Sequence, residues 1–154
     1  FSPEVPDLPS LEEWHRQHVA SLPHVREVYT LGYSSGSYAA LWFGHRLRAA
    51  KVWAFSPRTA DWATDADAKL ALHDRLSSPN GVTDYQIWYA ARNRLDRQFA
   101  EVIRDCPGVN VHAHAAYGRT HFLLDRMIES GEFQALLPAD PGVPEAIPLS
   151  RVAD

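Results

Sequence analysis

An apolar run, Val28-Tyr29-Thr30-Leu31, stops at Gly32, and a helix-like run, Ser37-Tyr38-Ala39-Ala40, begins directly after Gly36. Between the glycines stand Tyr33, Ser34 and Ser35, giving Gly-x-Ser-x-Gly with Ser34 at its centre. A strand that turns this abruptly into a helix is the setting in which the pattern lifts one hydroxyl above a sheet edge. The glycines leave room for a strained turn. The helix that follows aims its first N–H groups back at the same spot, so the Ser35 N–H is the expected donor to a developing oxyanion. The competing interpretation is a plain strand-to-helix connection whose small residues serve packing alone.

The rest of the chain alternates. Residues 1–9 are Pro-rich and aperiodic. Ser10, followed by Leu11-Glu12-Glu13, is the expected cap of a helix running to about Ala20. Strands are predicted at 27–31, 51–55, 84–90 and 109–116. Helices are predicted at 35–48, 65–76, 94–104 and 121–130, the last closed by Gly131, with a short helical stretch at 132–137. The tail 138–154 carries four prolines and reads as extended chain or linker. This order predicts one α/β domain over 10–137, built on a short, mostly parallel sheet of about four strands with flanking helices. Near-continuous apolar strands such as Val52-Trp53-Ala54-Phe55 fit a sheet covered on both faces.

Composition narrows the function classes. The 154 residues are 45% hydrophobic with five Trp, enough for a real core, and the net charge is −4. No Lys/Arg block marks a nucleic-acid or anionic-lipid surface, and no apolar run approaches a membrane span. The single cysteine, Cys106, fits a reducing compartment, so a cytoplasmic location is expected. The chain opens Phe1-Ser2-Pro3-Glu4, without initiator Met or signal sequence, and is expected to be trimmed or cut from something longer.

A serine hydroxyl needs a base, and the base needs an orienting acid. In parallel α/β sheets both must lie at the carboxyl ends of the strands. His112 and His114 fall inside the fourth strand on one face and read as packing histidines. A metal pair there lacks a third ligand at suitable spacing, so no metal or other cofactor is expected. His15, His18, His24, His45 and His73 fall on helices or at the wrong rim. His121 follows Tyr117-Gly118-Arg119-Thr120, the loop beyond the fourth strand, on the rim that holds Ser34. Asp84 begins the third strand and is excluded by the same rule. Asp96 lies just past that strand's end. Asn93 three residues earlier gives Asp96 an alternative explanation as a helix-capping residue. Asp61, after the second strand, is the other candidate acid. The order Ser34, Asp96, His121 is that of the α/β-hydrolases.

On these residues the chain resembles the α/β-hydrolase superfamily over roughly 10–137. The carrying segments are Leu31-Gly32-Tyr33-Ser34-Ser35-Gly36-Ser37-Tyr38-Ala39-Ala40, the strand Val52-Trp53-Ala54-Phe55-Ser56-Pro57, and Gly118-Arg119-Thr120-His121 with its helix. The resemblance implies Ser34 as nucleophile, His121 as base, Asp96 as orienting acid, and acyl transfer to water or another acceptor. Many relatives have a second glycine where Ser37 stands here. The family also has several strands before its elbow strand, and a loop there gives a second oxyanion donor. Here one Pro-rich segment and one helix come first, so the likeness is to the family's C-terminal half.

Four strands added in one direction by right-handed crossovers place their connecting helices on one face. Only the helix after His121 is left for the other, and the first strand exposes an edge. Another copy, another chain or a missing segment is therefore expected to cover that face. Two functions follow as expectations. One is a serine esterase, thioesterase or acyltransferase acting on a small-molecule ester or thioester. The other is a non-catalytic hydrolase-like domain that serves binding or assembly.

Overall fold

A computed structural model describes residues 7–58 and 66–138, with the side chains of 66–70 outside the description. The elements are α1 (Leu8–Ala20), β1 (Tyr29–Tyr33), α2 (Gly36–Arg46), β2 (Lys51–Phe55), α3 (Ala66–Ser77), β3 (Asp84–Ala90), α4 (Arg94–Val102), β4 (Val109–His114), α5 (Leu123–Ser130) and a 3-10 turn at Gln134–Leu136. The sheet order is β1-β2-β3-β4 and every pairing is parallel. The predicted α/β class therefore holds, with a sheet that is wholly parallel. Proposed acid Asp61, segment 1–6 and tail residues 139–154 lie outside the described residues.

Several boundaries differ from those read in the sequence, each for a local reason. The α1 cap is Asp7, whose carboxylate accepts the Ser10 N–H at 2.8 Å, so Ser10 sits inside the helix. β1 begins two residues later and runs through Gly32 to Tyr33, because Gly32 pairs with Ala54 and Tyr33 with Phe55. β4 stops at His114, so that histidine ends the strand. α5 starts at Leu123, which leaves His121 in the loop before it. The stretch after Gly131 tightens into a single 3-10 turn.

Alternation along the strands sorts side chains onto two faces. Val52, Ala54, Tyr85, Ile87 and Tyr89 meet Leu41 of α2 and Leu72 and Leu76 of α3 in the larger core, with Ala100 and Ile103 closing its far side. Gly44 lets α2 approach closely: a Cβ there would fall 2.3 Å from Val52 Cγ2 and 2.6 Å from Thr30 Oγ1. The Thr30 hydroxyl meanwhile donates to Ala40 O at 2.9 Å. On the opposite face Trp53 and Phe55 pack with Leu123 and Met127 of α5. α5 covers this face only in part, and Tyr29 and Leu31 on the edge strand β1 remain 39% and 47% exposed.

α1 is fastened to the larger core by a buried acid. The Glu12 carboxylate accepts the Trp42 indole N–H and pairs with Arg75 at 2.9 Å and Arg46 at 3.3 Å. The Arg75 guanidinium in turn lies 3.6 Å over the Trp42 ring.

Candidate active site

Ser34 occupies the left-handed region at φ 54°, one of three non-glycine residues among those described to do so. Such a conformation costs roughly 1–3 kcal/mol and persists only where surrounding contacts fix it. Here they do. The Ser34 N–H donates to Phe55 O at 2.9 Å, and Ser34 O accepts the N–H groups of Ser37 and Arg58 at 3.1 and 3.2 Å. Gly32 makes the turn possible, since a Cβ there would fall 2.3 Å from Gly36 O and 2.7 Å from Ser37 Cα. Ser37, where the resemblance led one to look for glycine, is fully buried, and its hydroxyl reaches Gly32 O and Phe55 O. It joins the elbow to the end of β2.

Three side chains from separate segments, the elbow, the first turn of α4 and the loop before α5, converge here. His121 Nε2 lies 2.9 Å from Ser34 Oγ. His121 Nδ1 lies 2.9 and 3.0 Å from the two oxygens of Asp96. Asp96 is fully buried. Burial raises its carboxyl above the ordinary value, against the opposing pull of His121, Ser56 and Arg58. The Ser56 hydroxyl lies beside this carboxylate without a hydrogen bond of good geometry, and Arg58 Nε is 3.9 Å from it.

Asn93 satisfies both interpretations of the acid loop at once. Its side-chain oxygen accepts the Asp96 N–H at 3.2 Å, as a helix cap does. Its amide N–H reaches Thr120 O at 3.3 Å, which ties the Asp96 loop to the His121 loop. The Asp96 side chain stays free to face the imidazole. On the other side of that ring stands Tyr33, centroid to centroid 5.4 Å. Burial raises the Tyr33 phenol above its usual value, and its hydroxyl has no hydrogen-bond partner among the described residues.

The structure thus brings together Ser34, Asp96 and His121, with Ser35 as the residue that opens α2. Sequence reasoning missed Ser37, Ser56 and Arg58. The signal available for Arg58 and Ser56 was their position just past β2, on the rim where sites form. Nothing in the sequence marked Ser37 as a brace.

His112 and His114 are occupied elsewhere. His112 stacks on Trp88 at 4.1 Å and its Nε2 meets Gln86 Oε1 at 2.5 Å. Burial lowers its pKa. His114 Nε2 meets Glu132 at 2.7 Å. Among the described residues no cluster of three or more His, Cys, Asp or Glu is placed to share an ion, and no helix is long and apolar enough to cross a membrane. Fold and site together define a parallel α/β protein with a Ser-His-Asp constellation on its carboxyl rim. No family model matches the chain, and no curated protein matches it either.

Proposed function

We propose that the chain is a serine-dependent acyl hydrolase or acyltransferase acting on an ester or thioester. The observation that carries this reading is the pair of contacts made by one imidazole, Nε2 to Ser34 Oγ and Nδ1 to Asp96. Neutral His121 takes the hydroxyl proton at Nε2 as Ser34 Oγ attacks the carbonyl carbon. The tetrahedral oxyanion forms at the start of α2, where the Ser35 N–H and the helix dipole favour negative charge. Collapse breaks the bond to the leaving alcohol or thiol, which receives the proton from His121. Water or an acceptor hydroxyl then gives its proton to His121 and attacks the acyl carbon; collapse breaks the bond to Ser34 Oγ, which takes the proton back from His121 as the acid or new ester leaves. Asp96 holds the ring in the tautomer that leaves Nε2 free to accept.

The test is labelling of the full chain with a fluorophosphonate beside Ser34→Ala. Label on the wild-type chain that vanishes in the variant supports the reading; an unlabelled wild-type chain overturns it. A second reading, a hydrolase-like binding domain without catalysis, is favoured by the open β1 edge with Tyr29 and Leu31 exposed. It predicts the unlabelled result.

A further inference from the structure

On the carboxyl rim that also carries the triad, three arginines line one pocket. Arg92, Arg94 and Arg119 surround it together with Asn93 and Leu95. All three arginines are exposed, and among the described residues none has an acidic partner. This contrasts with Arg16, Arg97, Arg104 and Arg126, each paired with a glutamate three or four residues away in the chain. In a chain of net charge −4, three exposed arginines around one pocket, without acidic partners among the described residues, give a local positive potential that favours an anion.

The pocket is held in shape by hydrogen bonds to main-chain carbonyls. The Arg92 N–H donates to Gly118 O at 3.2 Å, and the Asn93 amide reaches Thr120 O at 3.3 Å, so the loops after β3 and β4 are fastened together. α4 begins at Arg94, and the positive end of its dipole opens into the same space. Arg94 stands two residues from Asp96, and Arg119 two residues from His121. The pocket, Asp96 and His121 are therefore carried by the same two segments, the turn and helix start after β3 and the loop after β4, while Ser34 comes from the elbow after β1.

We propose that this pocket binds a phosphate group carried by the substrate, so that the esters or thioesters processed at Ser34 bear a phosphate monoester or diphosphate on the same molecule. Three guanidiniums offer paired N–H donors that match the oxygens of a phosphoryl group, and their three positive charges more than offset its double charge. A single carboxylate would leave two of them uncompensated. Leu95, 53% exposed on the pocket wall, gives the adjoining organic portion an apolar surface. This substrate class rests on the acyl-transfer reading above; the anion pocket itself does not.

The experiment separates the two. Pyrophosphate is titrated into the full-length Ser34→Ala chain by calorimetry at low ionic strength, a measurement that needs no catalysis. One saturable site is expected, weakened about tenfold or more in Arg92→Gln/Arg94→Gln/Arg119→Gln and held in Arg97→Gln/Arg104→Gln. The second variant removes cations from the same helix region but away from the pocket. Absence of saturable binding, or equal weakening in both variants, overturns the pocket. In the chain with Ser34 intact, the ratio of kcat/KM for an acyl phosphopantetheine thioester over its N-acetylcysteamine counterpart, which lacks phosphate, is expected to fall about tenfold in the triple variant. An unchanged ratio overturns the substrate assignment. A chain that takes no fluorophosphonate yet binds pyrophosphate through the three arginines would retire the acyl-transfer reading and leave the anion pocket standing.

Discussion

Gly32 and Gly36 approach so closely that a Cβ on the first would lie 2.3 Å from the carbonyl oxygen of the second and 2.6 Å from its carbon. Both obstacles are backbone, and neither can swing aside as a side-chain tip would. Gly32→Ala is therefore expected to push β1 and α2 apart at the elbow and to cost at least about 2 kcal/mol of stability. Urea unfolding measures this. Fluorophosphonate labelling of the folded fraction should fall with it, because Ser34 sits between the two elements.

Ser34 stores backbone strain at φ 54° that glycine would not feel. Left-handed geometry costs an L-residue about 1–2 kcal/mol, while glycine loses about 0.5–1 kcal/mol more chain entropy on folding. Ser34→Gly should consequently be more stable than Ser34→Ala by roughly 1 kcal/mol, although neither takes label. Equal thermal midpoints for the two variants would mean that the turn is relaxed.

Asp96→Asn separates activity from stability. The variant keeps the shape but cannot hold His121 in the required tautomer, and kcat is expected to drop about 10³–10⁴-fold. Its stability should move the other way. Burial holds the Asp96 carboxyl above its ordinary value of 3.8, so the folded chain binds that proton more tightly than the unfolded chain. The contribution favours the fold below the unfolded value and is lost as pH rises through the folded one. Asparagine has no such loss. The stability of the variant relative to wild type should thus climb with pH across that window and level off above it, which denaturant titrations at several pH values will show.

Glu12 links three helices through one carboxylate, with Trp42, Arg46 and Arg75 as its partners. Glu12→Ala leaves the Trp42 N–H without its acceptor and frees two guanidiniums. Arg46 is half exposed and recovers much of its solvation, so the loss is about 1–3 kcal/mol rather than the value for a fully buried pair. Glu12→Gln keeps an acceptor for the indole and should lose less. Guanidinium titrations of the two variants test the order.

Part of this site could be read without coordinates, and the reason lies in how local its signals are. Ser34 is announced by two glycines and a change of hydrophobic period within a dozen residues. His121 and Asp96 could be nominated, and Asp84 set aside, because parallel order fixes which loops share a rim. Asp96 was harder. Asn93 three residues before it explained the acid equally well as a cap, and in the fold the capping bond is real. A backbone N–H and a side-chain carboxylate of one residue serve different partners, a distinction that sequence spacing cannot express.

What the amino-acid order determined alone was the succession of strands and helices, the elbow, and the rim on which chemistry would gather, because each follows from propensity, capping and glycine placement over short spans. Tertiary structure decided the rest: that Ser37 braces the elbow, that Arg58 and Ser56 approach Asp96, that Tyr33 flanks the imidazole, and that three exposed arginines line one pocket. Those relationships join residues distant in the chain, and only the packing of β2, β3 and β4 side by side sets their separations.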